Sequence, residues 1–138
     1  MPATQSQTDD IAQLQHMARE FEAGFNTSDV DRIMHFYGDT YVDINLRQPV
    51  QSKAERRTYF AELFKRGGFQ VKIGPDDIQV HGDFAFVRGT VELIRAGMTG
   101  DGARIELRYL EIARRQPDGC WQVMWGMDGP VQEYTPTA

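Results

Sequence analysis

The stretch RIELRYLEIARRQPDGCWQVMWGMDG, residues 104–129, decides the fold. At its centre Gln116-Pro117-Asp118-Gly119 is turn chemistry: proline presets φ, and glycine accepts the positive φ that closes a hairpin. Before the turn, Ile105, Leu107, Tyr109, Glu111 and Ala113 alternate with Arg104, Glu106, Arg108, Leu110, Ile112 and Arg114. After it, Trp121, Val123, Trp125 and Met127 alternate with Cys120, Gln122, Met124, Gly126 and Asp128. A period of two over this length predicts two long antiparallel strands. Glu111 stands out as a carboxylate in an otherwise apolar register. A sheet that does this either opens onto water there or builds a pocket.

Two further strands precede the hairpin. Phe69 to His81 reads as one strand bent at Gly74-Pro75, since proline cannot donate to a ladder. His81-Gly82-Asp83 is a tight turn, Phe84 to Arg95 is a long strand, and 97–102 is a glycine-rich hairpin loop. Upstream the period changes. Ile11, Leu14, Ala18, Phe21 and Phe25 recur at steps of three and four, the stripe of an amphipathic helix. Ser28 is the expected N-cap of a second helix carrying Val30, Ile33, Met34 and Tyr37 and stopping at Gly38. Tyr41 to Leu46 alternates as a short strand, with Tyr41, Asp43 and Asn45 on one side. Ser52 with Glu55 forms a capping box opening a third helix, faced by Tyr59, Phe60, Leu63 and Phe64 and ended by Gly67-Gly68.

Helices first and antiparallel strands after is an α+β order. The three N-terminal helices are expected to cover the concave face of a cone-like, strongly curved, mostly antiparallel sheet, leaving a pocket between the layers. Residues 1–9 are expected to be a disordered leader, 10–130 a single domain and 131–138 a C-terminal tail.

With 138 residues and a net charge of −5, the chain suits one core. Its lysines and arginines are scattered, which argues against nucleic-acid binding. The single Cys120 excludes an intramolecular disulfide and a cysteine-cluster metal site, and beside Trp121 it reads as a small buried hydrophobe. No apolar run reaches the length of a membrane span, and 1–8 lacks a signal-peptide core, so a cytoplasmic protein is expected. His16, His35 and His81 read as solvent-facing, and no pair has metal-ligand spacing. Neither a metal nor an organic cofactor is indicated.

Four local features then coincide: Phe25-Asn26-Thr27-Ser28-Asp29-Val30-Asp31, Tyr37-Gly38-Asp39, Val80-His81-Gly82-Asp83-Phe84-Ala85 and Asp118-Gly119-Cys120-Trp121. In this order and at these spacings the chain, from about Asp10 to Gly129, resembles the nuclear transport factor 2-like superfamily. Within it, the SnoaL-like polyketide cyclases and ketosteroid isomerase-like proteins are the nearest groups. The resemblance implies a curved sheet around a deep pocket, usually in a homodimer, and leaves the chemistry open. It places the isomerases' general-base aspartate on Asn45, with Asp43 two residues earlier on the same strand face. Their helix-borne oxyanion tyrosine falls on Phe21, which cannot donate. Their second oxyanion donor, a protonated acid, falls on or near Glu111. Met124, Gly126 and Asp128 are turned toward the pocket.

The candidate catalytic residues are therefore Asp43, Asn45 and Glu111, and the candidate substrate-binding residues are Phe21, Tyr41, Tyr109, Met124 and Asp128. One carboxylate in a dry pocket can stay ionised as base while another, held protonated, donates. The structural alternative makes Asp43 a solvated edge residue and pairs Glu111 with Arg88 or Arg108. Two functions follow. One is a cofactor-free acid–base isomerase or cyclase acting on an apolar, polyketide- or steroid-like carbonyl compound. The other is a non-catalytic ligand-binding or dimeric association domain of the same fold. Apolar residues on both faces of the long strands further predict a homodimer through the outer sheet face.

Overall fold

An amphipathic helix and a half-apolar sheet are each stable only when their apolar faces meet. The computed structural model, which describes residues 5–45, 49, 51–67, 69–95 and 103–131 (Gln5 and Asn45 by backbone only), shows how they do. Helices α1 (Gln5–Asn26) and α2 (Val30–Met34) are followed by strands β1 (Tyr37–Asn45) and β2 (Gln51–Ser52). Helix α3 (Lys53–Arg66) comes next, then β3 (Phe69–His81), β4 (Phe84–Arg95), β5 (Arg104–Arg115) and β6 (Trp121–Pro130). The strands form one open, curved, six-stranded mixed sheet in the order β2-β1-β6-β5-β4-β3. Every pairing is antiparallel except β1 with β6. The fold is α+β, with Leu14, Met17, Phe25, Ile33, Met34, Phe60, Val71, Ile73, Ala85, Val87, Ala113, Trp121 and Val123 in the core between the layers.

Helix α1 does two jobs. Its apolar stripe packs on the sheet, and its polar residues close the sheet's exposed edge. Asn26 takes the N–H of Val71 at 2.8 Å and donates to its carbonyl at 3.0 Å. Glu22 accepts from the Ile73 N–H at 2.8 Å, and Arg19 donates to the Ile73 carbonyl at 3.2 Å. Side chains thus act as the missing neighbour strand of β3, whose bare amides would otherwise template association. The helix begins at Gln5, inside the stretch expected to fray. The reason lies at Asp10, which is buried and accepts from Arg115 Nη1 and Nη2 at 2.7 and 2.6 Å and from Trp121 Nε1 at 3.1 Å.

Several local expectations are corrected. The N-cap of α2 is Asp29, which accepts from the Arg32 N–H at 3.1 Å, while Ser28 adopts φ 56° to turn the chain. The helix stops at Met34, and Tyr37 and Gly38 open β1. Gly38 lets Met124 pack close there, since a Cβ would come within 2.6 Å of Met124 Sδ. Cys120 is exposed, because it leaves the turn with its side chain opposite to the buried Trp121. The capping box at Ser52 and Glu55 is formed as expected, and Gly67 ends α3 at φ 64°. The bend at Gly74-Pro75 appears as a register shift between Pro75 and Asp77. The loop over 97–102, Gly68 and the tail from 132 lie outside the described residues.

The largest departure is in β6. Ile112 pairs with Trp125 and Ala113 with Val123, so Met124 is an extra residue, a bulge. Strict alternation ends there. Trp121 and Val123 face the helices, and after the bulge Gly126 and Asp128 do. Trp125 and Met127 sit on the outer face, each 41% exposed. The outer face also carries Ile44, Phe84, Phe86 and Leu110, all exposed.

Replacing Trp121 by alanine should lower stability by roughly 3–5 kcal/mol, the usual cost of truncating a buried large aromatic. Trp125→Ala should cost less than about 1 kcal/mol in the monomer. Chemical-denaturation midpoints of the two variants decide this, and equal losses would contradict the inward and outward assignments.

Candidate functional site

Between the helices and the concave face of the sheet lies a cavity of about 140 Å³. Roughly that volume, walled by aliphatic and aromatic side chains, is enough to hold a benzene-sized molecule. Its walls are apolar: Leu14, Met17, Phe21 and Phe25 from α1, Phe60 and Leu63 from α3, and Val71, Ile73, Val87, Val91 and Leu93 from β3 and β4. The rings interlock edge to face, with Phe21 and Phe60 at 5.8 Å and Phe25 and Phe64 at 5.2 Å.

The polar groups gather at the β1-β6-β5 end. Gly126 pairs with Asp43 on β1 and with Glu111 on β5. The two acids therefore flank it, their backbones about 10 Å apart across two strand spacings. In the next inward row Asp128 lies between Asn45 and Tyr109. Glycine at 126 is what leaves the floor open, because a Cβ would come within 2.6 Å of Tyr41 Oη. Gly89 permits a close approach of β3, since a Cβ there would press on the Gly74 carbonyl oxygen and come within 2.8 Å of both Pro75 Cα and Tyr109 Oη.

Asp43 is 3% exposed, which excludes the solvated edge role. Tyr41 Oη donates to its Oδ1 at 3.0 Å. Its Oδ2 stands 3.7 Å from Arg56 Nη1, close enough for ionic attraction but beyond a hydrogen bond. Arg56 is itself buried, its guanidinium 4.6 Å from the Phe60 ring centroid and 4.8 Å from that of Tyr59. Asp43 Oδ2 and Arg56 Nε are both buried without a hydrogen-bond partner among the described residues.

Glu111 makes no ion pair among the described residues. Arg88, one partner considered for it, bonds Asp76 at 3.2 Å and approaches Asp77 at 3.8 Å, and Arg108 is exposed. Burial pushes the Glu111 carboxyl up to about 7, with the nearby Asp128 charge adding to the rise. Asp128 is also raised, first by burial, while Arg56 pulls it down and Asp43 pushes it up. Burial raises the hydroxyls of Tyr37, Tyr41 and Tyr109 well above the usual tyrosine value, so all three remain protonated donors.

The structure thus brings Asp43, Glu111, Phe21, Tyr41, Tyr109 and Asp128 to one cavity. Met124 is not among its walls; as the bulge residue it packs on Gly38 instead. The Asn45 side chain lies outside the described residues. His16, His35 and His81 are exposed. Among the described residues no group of three or more His, Cys, Asp or Glu is placed to hold a metal, and no helix is long and apolar enough to cross a membrane.

Two residues escaped the sequence reading. Arg56 stands three and four positions before Tyr59 and Phe60, on the apolar face of α3, and that register was its signal. Tyr37 was assigned to a helix face and is the first residue of β1.

Residues 18–124 match the model of the SnoaL-like domain. The chain belongs to the SnoaL-like domain family. No curated protein sequence matches it. Among solved structures it is similar to a ketosteroid isomerase-like protein from Erwinia carotovora atroseptica. That pair has a TM-score of 0.71 and 19% identity over 88% of this chain and 96% of the other. A nuclear transport factor 2-like protein with a cystatin-like fold from Novosphingobium aromaticivorans gives 0.79 and 14% over 92% and 85%. A proposed dehydratase of the same family from Streptomyces avermitilis gives 0.71 and 19% over 91% and 99%. At these identities the likenesses show the fold. The SnoaL-like chain's own residues have to carry the chemistry.

The Glu111 shift has a measurable consequence. Its folded pKa of about 7 lies above the ordinary 4.5, so folding takes up a proton. The stability this contributes is complete below pH 4.5 and lost as pH rises through about 7. Glu111→Gln should therefore gain on the wild type over that window by an amount on the order of 3 kcal/mol. Denaturation midpoints of both proteins at a series of pH values test this, and parallel curves would mean that Glu111 ionises normally.

Proposed function

We propose that the cavity binds a small, mostly apolar carbonyl compound and supports cofactor-free acid–base chemistry on it. One observation carries the reading. An acid whose pKa burial raises to about 7, Glu111, and which is therefore partly protonated near neutral pH, shares a cavity floor with a second acid, Asp43, across a single glycine. Neutral Glu111 donates a hydrogen bond to the ligand's carbonyl oxygen. Asp43, held by Tyr41 and attracted by Arg56, takes a proton from the adjacent carbon onto its carboxylate. The electron pair left behind moves onto the carbonyl oxygen as an enolate, which Glu111 stabilises. Returning the proton elsewhere on the carbon frame isomerises the compound, and attack of the carbanion on a second carbonyl cyclises it. A polyketide- or steroid-like ring is the expected frame, with one ring in the cavity.

A second reading, a binding domain without turnover, draws support from Asp43 itself, which already has two neighbours satisfying its charge. Proton exchange separates the two. In deuterated buffer the protein should accelerate loss of the methyl protons of acetophenone, followed by NMR. Asp43→Asn should slow this by at least about a hundredfold, the usual worth of a general base. Glu111→Gln should keep most of the affinity. Binding without accelerated exchange would favour the non-catalytic reading.

We also propose that the outer sheet face pairs two copies of the chain. One helical layer covers only the concave side, and Ile44, Leu110, Trp125 and Met127 remain exposed together on the other. Light scattering at micromolar concentration should give twice the chain mass, and Leu110→Glu should return it to one. A wild-type monomer would refute the pairing.

A further inference from the structure

The Tyr37 hydroxyl is a polar group for which the fold supplies no use. A buried hydroxyl is nearly always hydrogen-bonded, since leaving it bare forfeits its hydration without return. Tyr37 lines the cavity and is 5% exposed. Its backbone carbonyl accepts from Lys53 Nζ at 2.8 Å, but no group among the described residues bonds its side-chain oxygen. Nor is that oxygen sealed in. Among the described residues the fully buried side-chain atoms without a partner are Asp43 Oδ2 and Arg56 Nε, so the Tyr37 oxygen keeps surface open to the cavity. The ring is held where it is. It meets Tyr41 edge to face at 4.4 Å between centroids and Phe21 at 6.5 Å, and its backbone pairs with Val123 on β6. Burial raises its pKa most, and the charges of Glu111, Arg56, Asp43 and Asp128 all act on it, which puts the oxygen toward the polar end. The other tyrosines of the cavity are engaged elsewhere. Tyr41 donates to Asp43, Tyr59 lies 4.8 Å from the Arg56 guanidinium, and the Tyr109 hydroxyl leans over Gly89 toward β3.

This inference rests on the reading of the cavity as a carbonyl-binding site, and adds a residue that grips the oxygen. We infer that Tyr37 contacts the substrate, its hydroxyl donating a hydrogen bond to the ligand's carbonyl oxygen. The match is one of type: a phenol has a proton to give, and a carbonyl oxygen accepts and has nothing to donate. Tyr37 and Asp43 stand on one strand, linked through Tyr41, whose ring touches the first and whose hydroxyl bonds the second. A short stretch of β1 thus fixes donor and base relative to each other before any ligand arrives. When Asp43 takes a proton from the carbon beside the carbonyl, the electron pair left behind moves onto the oxygen. The hydrogen bond from Tyr37 then strengthens as charge grows there. The phenolic proton stays on Tyr37, because burial disfavours the phenolate. An apolar molecule of the same size without an acceptor leaves the hydroxyl bare, so Tyr37 selects carbonyl compounds among ring-sized hydrocarbons.

The test uses two neutral probes, acetophenone and ethylbenzene, which share a ring and differ in the carbonyl. Ligand-observed NMR titration gives their affinities, and infrared difference spectra give the carbonyl stretch of bound acetophenone. Tyr37→Phe removes one oxygen and keeps the ring. It should weaken acetophenone about fivefold, the worth of a neutral hydrogen bond, and leave ethylbenzene unchanged. The carbonyl stretch should lie lower on the wild type than in an apolar solvent and rise in the variant. If Tyr37→Phe fails to fold, Tyr37→3-fluorotyrosine keeps the hydroxyl and makes it a stronger donor, and the stretch should fall below its wild-type position. A stretch that neither change moves, or equal weakening of both probes by Tyr37→Phe, would overturn the role of Tyr37 and leave the carbonyl reading standing. A wild type that binds ethylbenzene but not acetophenone, or neither, would overturn both.

Discussion

One inserted residue governs the cavity floor. Met124 bulges out of the ladder between β5 and β6, and everything after it in β6 is turned over relative to what precedes it. Without the bulge, the phase that puts Trp121 and Val123 against the helices would carry Trp125 and Met127 inward too. Two large side chains would then fill the space that Gly126 leaves empty. With it, the inward positions become a glycine and an aspartate, and the bulky residues go to the outer face. β6 also pairs with both β1 and β5, so its phase sets which residues of those strands it stands beside. Asp43 and Glu111 come to face one another across Gly126 for that reason.

The electrostatics follow from having, among the described residues of the cavity, one buried cation beside three acids. Arg56 attracts Asp43 and also lowers Asp128, but Glu111 on the far side of Gly126 is left with burial and the Asp128 charge, both of which favour its neutral form. An ionised carboxylate is disfavoured in such a place without a partner, so the group holds its proton up to about pH 7. The site therefore separates its acids by position alone: one beside a guanidinium and one away from it. That separation is what acid–base chemistry needs from two residues of the same kind.

Much of this was legible in the sequence. The hairpin around Pro117-Asp118-Gly119, the capping box at Ser52 and the full spans of β3 and β4 are set by local chemistry, and local chemistry is what a sequence displays. Glu111 was visible because it breaks a long apolar alternation. What could not be read depends on neighbours distant in the chain. The bulge at Met124 is a property of a strand pair, and nothing within β6 announces it. The anchor at Asp10 could not be read either, because its partners, Arg115 and Trp121, are 105 and 111 residues away. Arg56 had a local signal, its place on the apolar face of α3, but an arginine there reads as a solvated end unless an acid is known to wait opposite. Tyr37 was drawn into the helix by its spacing from Ile33 and Met34, where pairing with β6 overrides it.

Why the cavity stays open at all is a question about α1. Protein interiors close on empty space, and a helix lined with Leu14, Met17, Ala18, Phe21 and Phe25 has every reason to settle onto the sheet below. It is held off by polar contacts at its two ends. Near the start, Asp10 is fixed by two nitrogens of Arg115 and by Trp121. Near the finish, Asn26 and Glu22 are fixed to the edge of β3 at Val71 and Ile73. Each clamp has hydrogen bonds of defined length that a sinking helix would have to break, and a buried carboxylate such as Asp10 tolerates that least. The apolar middle of the helix therefore spans a gap between two fixed supports. A ligand that fills the gap gains the contacts the helix cannot make for itself, which is a reason for an apolar molecule to enter that requires no movement of the fold.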